Sequence, residues 1–191
     1  MLNWLTGNAD YSRRAGEIYG PIVASARQHT FFAAWGVPDT SEGRFEMLAM
    51  HVALVMLRLG RAGADGVRLS RAVAETFMTD MDDNMREIGI GDLTVPKKVK
   101  RAAAALYDRH RDYAAALAVS PGSETTADAV SQALLPIIGA AFSGAHPTAR
   151  DMPGLDRLAL AQYIERLSGA LAVTPDADCL AGKLPLPWPA H

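Results

Sequence analysis

The feature that most constrains the fold is an apolar stretch at residues 47–57, interrupted only by His51. A membrane-spanning helix needs about 20 apolar residues, so this stretch is too short to cross a bilayer. A helix that is apolar nearly all round lies inside a protein. The stretch therefore predicts a central helix over about residues 41–59 that stops at Gly60. His51 is interpreted as a core histidine satisfied by one hydrogen bond, because the helical neighbours Leu54 and Val55 are not ligands.

Helical periodicity continues through the rest of the chain, and no convincing alternation of apolar and polar residues marks a strand. Asp10 is a plausible N-cap for the first helix. Pro96 suits the first turn of another, and Pro136 should end or kink a third. Besides the central helix, the predicted helices cover about residues 11–29, 67–88, 96–117, 124–142 and 154–173. The sequence thus predicts an all-α single helical domain of about six helices around the central apolar helix.

The length of 191 residues, with 49% hydrophobic residues, is enough for one domain with a substantial core and short tails. We divide the chain into an N-terminal segment (1–9), a helical domain (10–175) and an extended, proline-rich C-terminal tail (176–191). The prolines of the last residues cannot continue a helix. The tail either docks through Trp188 or floats free. The first residues do not have the pattern of a secretory signal.

Overall charge and cysteine content exclude several functional classes. The formal net charge of −2 argues against a dedicated nucleic-acid binder and predicts no specific DNA binding, although a basic patch can still bind RNA weakly. Cys179 is the only cysteine, so there is no disulfide framework and no cysteine-based zinc site. We interpret Cys179 as an unreactive residue in a loop.

The predicted helix at residues 67–88 has an apolar stripe, which we assign to the core rather than to an adaptable methionine-rich binding surface. Asn84, at the edge of the stripe, is expected to be half-buried and to tie the helix end to its neighbours. Asp80, Asp83 and Glu87 share another, solvent-facing side of this helix. The members of the stripe are Val73, Phe77, Met81, Met85 and Ile88.

Residues 80–98, which we call the charged corner, join this helix to the next one through a glycine-containing turn. Their opening acids resemble a calcium-binding loop, but Met85 and Gly91 stand where that loop needs glycine and glutamate. Gly89 and Gly91 begin a dinucleotide-binding pattern, but Thr94 replaces its third glycine. The carboxylates of the acidic face could hold a metal only with help from another helix, and the usual Glu-x-x-His pairs are absent. We therefore expect no cofactor and no metal.

Charge is distributed unevenly along this corner. Residues 75–92 hold six acids against one base, whereas residues 97–111 hold six bases against one acid. Acids near a helix C-terminus and lysines near a helix N-terminus both oppose the helix dipole, at a cost of up to about 1 kcal/mol each. Either cross-pairing over the turn offsets this cost, or the arrangement serves a binding surface.

Five segments resemble the ubiquinol–cytochrome c chaperone family: residues 20–27, 36–40, 43–47, 82–89 (Asp-Asp-Asn-Met-Arg-Glu-Ile-Gly) and 95–98 (Val-Pro-Lys-Lys). The resemblance covers about the first two thirds of the chain, and the last two segments are the most specific. It implies an all-helical, non-enzymatic assembly factor. Mitochondrial members support the maturation of cytochrome b into the ubiquinol–cytochrome c reductase (bc1) complex. They act with a small co-chaperone near membrane-bound ribosomes.

The resemblance implies a bacterial relative in the cytoplasm, peripheral at the inner face of the membrane, whose protein client is cytochrome b or a related membrane subunit. We expect the charged corner to bind the partner, with nearby apolar residues holding the client. Two alternatives stay open: a helical carboxylate-metal enzyme using Asp80, Asp83 and Glu87, and a membrane- or ribosome-docking adaptor in which Met1, Leu2, Trp4 and Leu5 insert into lipid. The expected partner-binding residues are Asp80, Asp83, Asn84, Arg86, Glu87, Gly89, Asp92, Pro96, Lys97 and Lys98.

Overall fold

The computed structural model describes residues 3–118, 126–143 and 154–187, without the side chains of residues 3–8 and 126–128. These ranges contain helices and no strand, which confirms the all-α prediction. Trp188, residues 144–153 and the apolar side chains at the N-terminus lie outside this description. The helices are α1 (Asn3–Ala26), α2 (His29–Ala33), α3 (Ser41–Gly60), α4 (Gly63–Glu87), α5 (Val95–Leu117), α6 (Thr126–Ser143), α7 (Arg157–Val173) and α8 (Asp176–Leu180).

Helix α3 is the predicted central helix, and α1, α4, α5, α6, α7 and α8 all pack against it. It begins where the sequence predicts. Its N-cap is Thr40, whose Oγ1 accepts a hydrogen bond of 3.1 Å from the amide of Gly43. Asp39, the residue before this cap, pairs with Arg44. No helix within the described ranges is long and apolar enough to span a membrane.

The first helix and the segment after it differ from the prediction. Helix α1 begins at Asn3 rather than near Tyr11, so Asp10 lies inside the helix and does not cap it. There it pairs with Arg13 and Arg14, at the spacings that support a continuous helix. The aromatic segment after α1, which lies outside the predicted helices, forms the short helix α2, whose Phe31 is fully buried.

Helices α3 and α4 form a tight antiparallel pair. Helix α4 begins at Gly63, four residues before the predicted start. Gly66 explains how the two helices approach so closely, because a Cβ atom there would lie 2.2 Å from the carbonyl oxygen of Leu59. Helix α7 starts later than predicted because Asp156 caps it, accepting a hydrogen bond from the Ala159 amide. Helix α6 continues past Pro136.

The segment predicted to be an extended tail begins with a helix instead. Arg58 of α3 is buried and donates hydrogen bonds to the carbonyl oxygens of Leu171 and Thr174 and to Asp176 Oδ1. These contacts fix the end of α7 and the start of α8 on the central helix. Cys179 consequently lies in α8, where it is buried, rather than in a loop. Beyond α8, Leu184 and Leu186 pack against the core.

A buried polar contact joins α3 to α7. His51 Nδ1 lies 2.7 Å from the carbonyl oxygen of Met47, which can only accept, so this nitrogen carries the proton. His51 Nε2 then accepts a hydrogen bond of 2.7 Å from the Tyr163 hydroxyl. Burial lowers the pKa of His51 to about 4. The sequence predicted a core histidine with one hydrogen bond, and the structure gives it two.

A second polar contact, an ion pair, joins α3 to α5. Arg109 Nε and Nη2 donate to the carboxylate of Glu46 at 2.9 and 3.1 Å, and both side chains are largely buried. Burial raises the pKa of Glu46, while the guanidinium of Arg109 acts in the opposite direction. This contact uses one of the six bases of residues 97–111, so Arg109 is a structural residue.

Candidate partner-binding surface at the charged corner

The first half of the charged corner is a helix end closed by a glycine. Gly89 has φ +80°, in the left-handed region. Its amide donates to the carbonyl oxygen of Arg86 and the amide of Ile90 donates to that of Met85, each at 3.0 Å. These two bonds are those of a Schellman motif, which satisfies the last carbonyl groups of a helix. Gly89 therefore has a structural reason to be glycine.

The second half of the charged corner starts α5. The carbonyl oxygen of Gly91 accepts hydrogen bonds from the amides of Thr94 and Val95, at 2.8 and 3.3 Å. Val95 is fully buried and Pro96 occupies the first turn of α5, where its missing N–H costs nothing. The backbone of the corner is thus held by its own hydrogen bonds and by one buried side chain.

Asp80 bonds to a neighbouring helix, whereas Asn84 is exposed and bonds only within α4. The hydroxyl of Tyr19 in α1 donates a hydrogen bond of 2.8 Å to Asp80 Oδ2. Burial and this contact with Asp80 raise the pKa of Tyr19. Asn84 was expected to be half-buried between helices, but it is exposed and donates only to the carbonyl oxygen and side chain of Asp80, one turn earlier. Its local partner explains why it does not reach a neighbouring helix.

Arg86 holds the end of α4 to the connection that follows. Its guanidinium pairs with Asp82 and with Asp92, the latter at 2.6 Å. The hydrogen bond to Asp82 is the main reason why the pKa of Arg86 is raised. Across the described residues, no ion pair joins an acid of residues 75–92 to a base of residues 97–111. Cross-pairing over the turn is therefore not what offsets the unfavourable helix dipoles.

Between residues 83 and 101, six charged side chains point into solvent and, among the residues that the structure describes, have no hydrogen-bond or ion-pair partner. Two are acids on α4 and four are bases in the first two turns of α5. Four of the six belong to the predicted partner-binding set. The six are Asp83, Glu87, Lys97, Lys98, Lys100 and Arg101.

Two apolar side chains lie between these charges. Ile88 is 72% exposed and Leu93 is 98% exposed. Ile88 is the last member of the predicted core stripe, which is buried at Val73 and Phe77, half-buried at Met81 and Met85, and leaves the core beyond the end of α4. The sequence analysis missed both residues as site candidates. The sequence feature that could have identified them as site candidates is their position on either side of the Gly89 turn.

The carboxylates of the acidic face do not form a metal site in the described part of the chain. There, no group of three or more His, Cys, Asp or Glu side chains is arranged to hold a metal ion. Asp80 is already bonded to Tyr19 and Asn84, which leaves Asp83 and Glu87 as isolated surface carboxylates. The geometry gives no support to the carboxylate-metal enzyme.

Comparisons with known proteins agree on one family. The sequence model of the ubiquinol–cytochrome c chaperones matches residues 33–188, which includes the last third of the chain, where the sequence analysis found only helical character. The crystal structure of the Cbp3 homolog from Brucella abortus superposes with a TM-score of 0.75 at 31% identity, over 97% of this chain and 96% of that one. A search of curated proteins found no match.

Proposed function

Because the chain belongs to the ubiquinol–cytochrome c chaperone family, we propose that it is an assembly chaperone whose client is newly made cytochrome b or a related membrane subunit of the bc1 complex. The proposal concerns binding and includes no catalytic step. The partner contacts the charged corner, with Lys97, Lys98, Asp83 and Glu87 orienting it and Arg86 holding the corner in shape.

The exposed charges of the corner are the observation that supports this assignment. Lys97 and Lys98 stand at the N-terminal end of α5 and Glu87 at the C-terminal end of α4, where each opposes the helix dipole. Within the described residues no side chain compensates them. A partner with complementary charges would compensate them. Polar groups of this kind affect the specificity and rate of association more than its affinity.

Capture of cytochrome b by the purified chain tests the proposal. Cytochrome b of the host is synthesised in a cell-free translation reaction and captured on the tagged, purified chain. We expect the wild-type chain to retain it and the Lys97→Glu/Lys98→Glu variant to retain several-fold less. The control is Arg71→Glu/Lys183→Glu, which changes net charge equally at two exposed positions outside the corner. Equal capture by both variants would remove the lysines from the site.

We also propose that the chaperone works at the inner face of the bacterial cytoplasmic membrane with a small co-chaperone. A client that is itself a membrane subunit requires the first location. Fractionation of the host, with and without cytochrome b expression, tests it. Membrane association that depends on the client supports the proposal, and association that persists without the client points instead to direct lipid binding.

A further inference from the structure

The apolar tip of the charged corner, formed by Ile88 and Leu93, does not contribute to the packing of the core. Neither Ile88 nor Leu93 belongs to the hydrophobic core or to the partly buried residues that pack against it. Val95, two residues after Leu93, is fully buried. The fold therefore buries Val95 and leaves both Ile88 and Leu93 in solvent.

Single exposed apolar residues are ordinary on protein surfaces. Here two of them flank one glycine turn, and both are more than two-thirds exposed. Their backbone is fixed, because the Schellman motif and the bonds to Gly91 hold the turn on both sides of the tip. A tip that is ordered before binding loses little conformational entropy when it docks.

The charges around the tip decide between a lipid and a protein occupant. Asp83 and Glu87 precede Ile88 on α4, and Asp92 directly precedes Leu93. An anionic bilayer that received the two apolar side chains would attract Lys97 and Lys98 but would bring its negative surface against the unpaired carboxylates of Asp83 and Glu87, since Asp92 is already paired with Arg86. A protein segment avoids this repulsion, because it can present a basic group to the acids and an acidic group to Lys97 and Lys98.

We propose that Ile88 and Leu93 are the apolar anchors of the partner-binding surface, an assignment that rests on the proposed function. The occupant is an apolar helical segment of the client with charges at its flanks. Its acidic flank meets Lys97 and Lys98, and its basic flank meets Asp83 and Glu87. Such a segment has the chemistry of a membrane helix near its interfacial end, before it enters the bilayer.

The test compares capture of cell-free translated host cytochrome b by the wild-type chain, by Ile88→Ser/Leu93→Ser, and by Val173→Ser. Val173 is a matched control because it is 83% exposed and lies at the end of α7, where Arg58 binds. That end is separated from the charged corner by α4, whose 25 residues span about 37 Å. Circular dichroism and thermal unfolding check that all three proteins are folded.

We expect the double variant to bind cytochrome b at least about tenfold more weakly, since two buried apolar contacts are lost. The Val173→Ser variant should bind as the wild type does. If the wild type captures cytochrome b and the double variant captures it equally, the anchors are wrong and the chaperone proposal stands. If the wild type captures none, the proposed function fails and the anchors fail with it.

A vesicle experiment provides the competing outcome. Sedimentation with phosphatidylcholine vesicles containing phosphatidylglycerol should show no binding that depends on Ile88 and Leu93. Sedimentation of the wild type that is lost in the double variant would assign the tip to a lipid surface and overturn the protein-segment proposal.

Discussion

His51 Nε2 accepts a hydrogen bond of 2.7 Å from the hydroxyl of Tyr163, although the two residues are 112 positions apart in the chain. The rings also contact each other edge to face, and both make the same kind of contact with Phe31. The contact joins the central helix to α7 at a point with no access to water. Both imidazole nitrogens are satisfied, so the histidine is a structural residue of the core.

Replacing Tyr163 with phenylalanine should destabilise the protein by about 1–3 kcal/mol, because it leaves His51 Nε2 buried without a donor. Urea denaturation followed by circular dichroism measures the change. Tyr107→Phe is the control and should change stability by less than about 0.5 kcal/mol, because Tyr107 is half exposed. An equal effect of both substitutions would contradict the role given to the hydrogen bond.

Stability should fall in mild acid because of His51. Burial lowers its pKa from 6.5 to about 4, so the unfolded state binds the proton first as the pH falls. The contribution is complete above pH 6.5 and is lost towards pH 4, with a slope of up to about 1.4 kcal/mol per pH unit. Urea unfolding at several pH values measures the slope. It should flatten in His51→Gln and persist when the exposed His29 is replaced by Gln.

Replacing Arg58 with methionine should cost about 2–3 kcal/mol and loosen α8, since the Leu171 and Thr174 carbonyl groups and Asp176 lose their donor. Hydrogen exchange should accelerate most at the amides of Cys179 and Gly182, which close α8 and the turn after it. Asp176→Asn should cost under about 1 kcal/mol, because Asp176 is 62% exposed. Unchanged exchange in α8 after loss of Arg58 would show that other contacts hold it.

Glu46 and Arg109 should show strong coupling in a double-mutant cycle. Either Glu46→Leu or Arg109→Met alone leaves a largely buried charge without its partner and should cost about 2–4 kcal/mol. The double variant should be more stable than the sum of the single losses predicts, with a coupling energy of about 1–3 kcal/mol. Additive losses would mean that the pair contributes only packing.

Replacing Gly89 with alanine should cost about 1–2 kcal/mol, since φ +80° is strained for a residue with a side chain. The added methyl group meets no atom within 4 Å, so the loss comes from the backbone alone. Gly91→Ala is the matched control, because its φ is not positive and its surroundings are equally open. The two variants are compared by urea unfolding, and equal losses would argue against the left-handed conformation at Gly89.

The helices that bury a continuous face were predictable, because apolar periodicity records which side of a helix leaves water. Helix α3 is the best example, with thirteen buried residues. The boundaries were less predictable, since they depend on pairings between distant residues. Nothing near Asp176 indicates that Arg58 binds it, and α8 was therefore missed. The long α1 was missed because Asp10 suits a cap as well as a pair with Arg14.

The same distinction applies to the charged corner: its backbone features were predictable from the sequence, and the partners of its charged side chains were not. The turn at Gly89 and the helix start at Pro96 were predicted correctly, because both follow from backbone geometry alone, while their place in the partner-binding set stays a prediction. Which charges of the corner are used internally did not follow from the sequence. Asp80 accepts a hydrogen bond from Tyr19 of another helix, while Asp83, three residues later, has no partner among the described residues. Ile88 was misplaced because periodicity does not show where a helix face leaves the core.

The central helix α3 is synthesised long before the distant residues that complete its polar contacts. During synthesis α3 leaves the ribosome well before the groups that complete it, since Tyr163 follows His51 by 112 positions and Asp176 follows Arg58 by 118. At 5–20 residues per second this interval lasts roughly ten seconds. Throughout it, the nascent chain carries an apolar helix whose His51 and Arg58 lack their distant partners. A member of a chaperone family thus passes through an incomplete state of its own while it is being made.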